Sequence, residues 1–201
     1  MPFPSSQIES LPLQQRKHEL VRHEIWHAAV RLFEEKGFEP TTVEQIATAA
    51  GLSSRTFFRY FASKDDVILQ GLDTYGDDLL AAVAAMPPGP PALAEICRAA
   101  RPLVERYVET EIYVRVVMRI IAGSQALRGA QMLRFRRVEA GLVEQFAGRL
   151  GAGAVNLRRA QLLASVSLAA INIAFDAWLE QGGGPIGPLV DEMFGAAANL
   201  G

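Results

Sequence analysis

Apolar residues recur at three- and four-residue spacing along most of this 201-residue chain, and no stretch alternates apolar and polar residues between hairpin turns. That pattern restricts the fold class to all α, because a stripe that returns every 3.6 residues can be buried on one face of a helix but not on one face of a strand. The periodicity predicts helices at about 16–36, 42–50, 54–61, 64–86, 92–110, 112–122, 126–150, 156–180 and 188–198. In the first, Leu20, Ile25, Ala29, Leu32 and Phe33 form the apolar stripe and Gly37 ends the helix. Pro102 is expected to kink or divide the helix at 92–110.

The densest local signals lie between Thr42 and Lys64. Thr42 followed by Gln45 three residues later is a capping box, and Val43, Ile46, Ala47 and Ala50 give the short helix behind it one apolar face. Gly51 closes that helix, Leu52 fills the turn, and Ser53 and Ser63 are placed to cap the next two helices. Two short helices around a tight glycine turn make a helix-turn-helix, in which the first helix braces a second that enters the major groove. Small residues are needed where the two cross, and Ala47 and Gly51 stand there.

With Leu52, Phe57 and Phe61 turned into the core, Ser54, Arg55, Phe58 and Arg59 are left for the groove and Tyr60 for its edge. An arginine reads guanine bidentately, and a phenylalanine touches the thymine methyl. Thr42 and Lys64, at helix N-termini, are placed for phosphates. From Arg16 to Lys64 there are eight Lys/Arg against six Asp/Glu, with all three histidines, whereas the remainder has twelve against sixteen. A mildly basic head on an acidic body suits local contact with nucleic acid, and the net charge of −2 argues against a protein that coats it.

The runs Gly37-Phe38-Glu39-Pro40-Thr41-Thr42-Val43-Glu44-Gln45-Ile46-Ala47 and Ala50-Gly51-Leu52-Ser53-Ser54-Arg55-Thr56-Phe57-Phe58-Arg59-Tyr60-Phe61-Ala62-Ser63-Lys64 strongly resemble the reading head of the TetR family. The resemblance implies a DNA-binding transcriptional regulator that is not an enzyme. Specifically, it implies a homodimeric repressor, released by a small molecule bound in the C-terminal body. By the family pattern Thr42, Tyr60 and Lys64 contact phosphate while Ser54, Arg55 and Phe58 face bases. Gln45, Thr56 and Arg59 complete the candidate DNA-binding set. Phe58 stands where the family often has Tyr, which removes a hydroxyl contact, and Tyr60 where it often has His.

The expected organisation is a flexible arm at 1–15, a helix-turn-helix DNA-binding domain at 16–63, and a C-terminal ligand-binding and dimerisation domain at 64–201. Residues 64–86 form the connecting helix, and Pro87-Pro88-Gly89-Pro90-Pro91 is the sharpest break in the chain. In the helix at 156–180, Leu163, Ser167, Ile171, Phe175 and Trp178 make one stripe and Leu162, Val166, Ala169, Ile173 and Ala177 another. A helix apolar on two sides is covered on both, so Leu162, Val166, Ala170, Ile173 and Ala177 are the candidate dimer interface, with Ala164, Ala170 and Ala174 allowing close approach. Together with the helix at 188–198 this builds a four-helix interface.

Met118, Ile121, Met132, Phe135, Phe146, Asn172 and Phe175 are the candidate lining of a pocket for an apolar or amphipathic effector, and a Met and Phe stripe of this kind equally suits plain core. Asn172 and Asp176 either orient a polar ligand group or form a solvated or interface pair. Arg115 with Arg119, and Arg134 with Arg137, each share a face and read as solvated pairs or as partners for an acidic head group.

His23-Glu24-Ile25-Trp26-His27 matches the zinc-peptidase pattern, but no further histidine follows to act as third ligand, so an amphipathic first helix is the plainer account. No cofactor and no metal are expected. A third reading keeps the head and makes the body a docking surface for another protein. With Cys97 as its one cysteine, the chain can form no intrachain disulfide, which fits a reducing compartment; Cys97 reads as a small buried residue or a redox sensor. The start lacks the basic and apolar regions of a signal peptide, and the longest uncharged run, Ala160–Phe175, is shorter than the roughly 18 residues a membrane span needs and contains Gln161, Ser165, Ser167 and Asn172. These features predict a cytoplasmic protein with no membrane contact, and the resemblance implies double-stranded DNA carrying a palindromic operator as its partner.

Overall fold

The structure, a computed structural model, describes residues 12–109 and 111–199, with the backbone alone at 111 and 112. The described residues form helices and no strand: α1 Leu13–Lys36, α2 Val43–Ala49, α3 Ser54–Phe57, α4 Lys64–Ala84, α5 Leu93–Val108, α6 Glu111–Gly123, α7 Gln125–Leu150, α8 Ala154–Glu180 and α9 Gly187–Ala198. Each expected helix is present. The expected arm, apart from residues 12–15, lies outside the described residues, as does Thr110. Helix α1 starts a turn earlier than its stripe suggests, at Leu13 behind Pro12, and Leu20 is half-exposed rather than in the core. Pro102 does not divide α5, which is one helix with the proline inside it. The third helix is a single turn, and the chain continues to Phe61 through turns that keep Tyr60 N–H on the Phe57 carbonyl (2.9 Å) and Phe61 N–H on the same oxygen (3.1 Å).

The chain divides into two compact units, residues 1–74 with 110–131, and residues 75–109 with 132–201. The first unit is built on one apolar cluster in which Ile25, Trp26, Ala29 and Phe33 of α1 meet Ile46, Ala47, Phe57, Phe61 and Ile68. Val116, Val117 and Ile121 of α6 and Leu127 of α7 belong to the same cluster, so the helix-turn-helix core is completed by residues some fifty positions downstream.

In the second unit α5, α8 and α9 pack on one another. Helices α4 and α7 approach closely at two glycines: a Cβ on Gly76 would lie 2.6 Å from Val138 Cγ2, and one on Gly141 2.8 Å from Leu80 Cδ2. The end of α4 is capped from α7, where the Arg149 guanidinium donates to the carbonyls of Val83 (3.0 Å), Met86 (3.0 Å) and Pro87 (2.6 Å). Arg137 pairs with Asp77 at 2.7 Å and Arg106 with Asp78 at 3.0 Å, again within this unit. Helix α8 is long and apolar enough to cross a membrane by length and composition, but Ala160, Ala164, Leu168, Ile171, Ala174 and Trp178 are buried inside the unit, which makes it a core helix with one uncovered stripe.

Candidate nucleic-acid interface

The turn between α2 and α3 is set by local chemistry. Thr42 Oγ1 accepts from the Gln45 amide (3.3 Å) while Gln45 Oε1 accepts from the Thr42 amide (3.1 Å), so both halves of the capping box form. At the other end Gly51 sits at φ +69°, its N–H on the Thr48 carbonyl (3.0 Å), and Leu52 N–H reaches back to Ala47 (2.8 Å). That pair of bonds is a Schellman motif, and it needs a residue without a Cβ at Gly51. Ser53 Oγ accepts from the Thr56 amide (3.1 Å) and starts α3. The local bonds that shape the turn therefore come from side chains and one glycine within six residues of each other.

Phe57 and Phe61 are buried, their ring centroids 5.7 Å apart, and they anchor the turn to the head core. Because Phe57 points inward, its neighbours point outward: Phe58 is 55% exposed, Arg55 and Arg59 are exposed, and Ser54 is half-buried. Tyr60 is half-buried, with its ring 4.7 Å from that of His18 on α1. Gln45 and Thr56 are engaged in the caps by the bonds above, Thr56 also through its hydroxyl to Ser53 (2.9 Å).

Lys64 is placed differently from the phosphate contact expected of it. Its ammonium donates to the carbonyls of Phe38 (2.8 Å), Glu39 (3.1 Å) and Thr41 (3.3 Å) and lies 4.4 Å above the Phe38 ring. Three donors meet three acceptors, which ties the first turn of α4 to the segment between α1 and α2. Thr41, unremarked in the sequence, completes this knot: it is buried, and its hydroxyl donates to the Gly37 carbonyl at 2.7 Å. Nothing local signals the tie, since Lys64 and its acceptors are 23 to 26 residues apart.

The candidate pocket residues are divided between the two units. Met118 and Ile121 belong to the first unit, where Ile121 is part of the head core, whereas Met132, Phe135, Phe146, Asn172 and Phe175 belong to the second. Met132 is 57% exposed and Phe146 is fully buried. Two surface clefts of about 470 and 450 Å³ are lined by other residues. The second unit instead gathers Tyr75, Tyr107 and Phe175, with centroids 5.0 Å apart for Tyr75 and Tyr107 and 6.1 Å for Tyr75 and Phe175. The Tyr75 hydroxyl oxygen is buried without a hydrogen-bond partner, and burial raises both phenols, Tyr107 to about 12. Only Phe175 of this group was legible as a candidate; Tyr75 and Tyr107 stand 32 positions apart and share no motif.

On α8 the two stripes differ in cover, although Leu163 and Phe175 of the first are half-buried. Ser167, Ile171 and Trp178 are buried, while Leu162 is 65% and Ile173 53% exposed, with Ala169 exposed between them and Val166 and Ala177 half-buried. Ala170 is a correction: at 4% exposure it faces the unit's own core, as do Ala164 and Ala174, so these small residues serve packing within the chain. Asp176 is exposed and Asn172 half-buried.

His23 and His27 lie side by side on α1, but among the described residues no group of three or more metal-ligating side chains forms, so the third protein ligand of a zinc peptidase is not assembled there. Cys97 is buried, its thiol donating to Asp191 at 3.6 Å and pushed up to about 11 by burial first and then by that carboxylate.

Comparison with known proteins gives one consistent result. Residues 25–70 match the model described as bacterial regulatory proteins, tetR family, and residues 91–199 match the MftR C-terminal domain. The HTH-type transcriptional regulator TcmR of Streptomyces glaucescens is 30% identical over 192 residues, covering 84% of this chain and 85% of that protein. A putative mycofactocin biosynthesis transcriptional regulator, MftR of Mycobacterium tuberculosis, is 42% identical over 52 residues, 26% of each chain. Among solved structures, the fatty acid degradation regulator FadR of Bacillus halodurans superposes with a TM-score of 0.64 at 15% identity, covering 90% of this chain and 95% of that one.

Proposed function

The chain belongs to the TetR family of bacterial regulatory proteins, and from that premise we propose that this transcriptional regulator, which is not an enzyme, acts as a homodimeric, cytoplasmic repressor. It binds a palindromic operator and is released by a small molecule held in its second unit. The observation that carries the DNA reading is the α3 turn, in which buried Phe57 and Phe61 force Arg55, Phe58 and Arg59 outward on a rigid, capped support. Arg55 and Phe58 read base edges, with Ser54 beside them. Thr42, Gln45, Thr56, Arg59 and Tyr60 set the register on phosphates, and Lys64 acts chiefly by holding the N-terminus of α4 in place.

A second copy covers the apolar stripe of α8 formed by Leu162, Val166, Ala169, Ile173 and Ala177, of which the chain leaves Leu162, Ala169 and Ile173 exposed and Val166 and Ala177 half-buried. Two-fold symmetry then requires an inverted repeat with half-sites about one helical turn, or roughly 34 to 36 Å, apart or a multiple of it. The unpartnered Tyr75 hydroxyl, beside Tyr107 and Phe175, supports an effector with an aromatic or apolar body and a hydrogen-bond acceptor. Helices α4 and α7 each carry residues of both units, and α4, which begins at the reading head, is a covalent route by which such a ligand weakens DNA binding.

Genome-wide mapping of bound sites, followed by gel shift on the recovered sequence, tests the reading. Arg55→Ala is expected to cost roughly 1 to 3 kcal/mol of specific binding and to relax one base pair per half-site. Ala169→Glu is expected to give monomers by light scattering. Wild-type operator affinity in the first variant, or an unchanged dimer in the second, removes that part of the reading. Expression of the neighbouring genes should rise in a deletion strain; a fall would make the protein an activator.

A further inference from the structure

The stripe that α8 leaves uncovered has a stricter order than an apolar face requires. Arg159, Leu162, Val166, Ala169, Ile173 and Asp176 follow one another at alternating spacings of three and four residues, which makes a heptad seam. All are exposed except Val166, which is half-buried. The positions are also symmetric about the point between Ser167 and Leu168: Val166 answers Ala169, Leu162 answers Ile173, and Arg159 answers Asp176. Two such helices laid antiparallel across a two-fold axis at that point stack in layers to which each copy gives one residue. The inner layers are apolar, and the outer layer on each side sets an arginine against an aspartate. Parallel pairing in register would instead put Arg159 on Arg159 and Asp176 on Asp176.

The charges at the two ends of the seam have no use inside the chain. Among the described residues, Arg159, Asp176 and Glu180 form no ion pair. They do not serve the helix macrodipole either, which favours acids in the first turn and bases in the last. Helix α8 has neither, and Glu180 stands at its C-terminal end, where an acid is least favoured. A basic start and an acidic end are complementary only to a second helix of the same sequence running the other way.

The spacing also selects the crossing angle. A heptad seam drifts by about 20° per repeat on a straight helix, so it stays in contact only where two helices cross at about 20°. At 1.5 Å per residue, Arg159 and Asp176 lie about 13 Å on either side of the two-fold, where the helix axes have then moved apart sideways by only about 4 to 5 Å. Both side chains span that gap. At a crossing of about 50° the sideways separation there is roughly 11 Å, and the charges do not meet. Building on the homodimer proposed above, we propose that Arg159 and Asp176 select the partner in an antiparallel seam between two copies of α8. Each arginine pairs with the aspartate of the other copy, which fixes the register and disfavours chains without that charge order. Glu180, one turn beyond Asp176, strengthens the field at the same arginine. The pairs act on choice more than on strength, because an exposed ion pair adds little affinity while like charges in one layer oppose association.

Native mass spectrometry of the full-length chain tests this, because charge variants differ in mass. Arg159→Asp sets acid against acid in both outer layers and Asp176→Arg sets base against base, so each alone is expected to raise the dimer dissociation constant by roughly tenfold or more. Mixed in equal amounts, the two variants are expected to form heterodimer well above the statistical share, since every outer layer again joins opposite charges. Recovery in the mixture also shows that each variant is folded. The double variant Arg159→Asp with Asp176→Arg is expected to dimerise as the wild type does. Single variants that pair with themselves as tightly as wild type, or a mixture with no excess of heterodimer, would overturn the proposal. Ala169→Glu tests the underlying homodimer separately. Monomers from that variant beside unaffected charge variants leave the α8 interface standing and remove only the register, whereas a dimer unchanged in every variant removes both.

Discussion

The two units of this chain are held together by different polar devices. In the first, the capping box at Thr42, the Schellman turn at Gly51, the buried Thr41 hydroxyl and the three donors of Lys64 are matched to acceptors, around an aromatic core. In the second, cohesion comes from small residues on α8 and from arginines that cap or pair across helices, while the Tyr75 hydroxyl is left without a partner and an apolar stripe is left without cover. A reading surface works only if its geometry exists before DNA arrives, because each loose contact would add an ordering cost to binding. A sensing and assembling unit needs the opposite, groups whose satisfaction depends on something that comes and goes. Under the function proposed above, the Tyr75 hydroxyl and the exposed stripe of α8 are such groups.

The comparison breaks first if the head is not a rigid unit. Phe57→Ala empties a fully buried ring position and is expected to cost about 3 to 5 kcal/mol in urea unfolding and to abolish operator binding. A loss under about 1 kcal/mol would mean that the turn is not anchored by this ring.

Next in size is Lys64→Ala. Losing charge-assisted bonds to three carbonyls should destabilise the DNA-free protein by roughly 1.5 to 3 kcal/mol, with the salt dependence of DNA binding changed little. Unaltered stability with a flatter salt slope would restore Lys64 to the role of a free phosphate contact.

The opposite sign is expected in the second unit. Tyr75→Phe removes a buried hydroxyl that bonds to nothing, so it should stabilise the ligand-free protein by up to about 1 kcal/mol and weaken the response to an effector. Destabilisation by a similar amount would show that the hydroxyl is satisfied after all, and the contrast between the units would shrink.

The smallest effect concerns Cys97. With the thiol raised to about 11, only roughly a thousandth is thiolate at pH 8, so iodoacetamide should modify the folded protein slowly and faster as pH climbs toward 11. Rapid alkylation at pH 8 would put a reactive thiol, and with it a redox sensor, back into the second unit.

Much of the first unit was legible before any coordinates, and the second much less. The capping box, the glycine turn and the Ser53 and Ser63 caps are visible because the donor, the acceptor and the backbone they shape lie within six residues. The outward set of Arg55, Phe58 and Arg59 follows from the inward one of Phe57 and Phe61, so it was equally readable. The pocket set is divided between the two units, since apolar periodicity says that Met118, Ile121 and Met132 have a buried or half-buried face, not which neighbours they meet. Ile121 went to the head core and Met132 to solvent. The interface set failed at one position for the same reason: Ala169 and Ala170 are adjacent on a helix apolar on both sides, and composition cannot say which side the chain covers itself.

By itself, then, the sequence determined the all-helical class, the order and ends of the helices to within about a turn, and which side chains the α3 turn exposes. All of these are governed by contacts closer than about two helical turns, where residue spacing is geometry. Tertiary structure alone decided that α6 completes the head core, that Lys64 clamps a turn 23 to 26 residues away, and that Tyr75 meets Tyr107 and Phe175. It also decided that the His23 and His27 rings converge at 3.0 Å rather than diverge. Burial and rotamer choice depend on which distant surfaces meet, and that is a property of the whole packed chain rather than of any window along it.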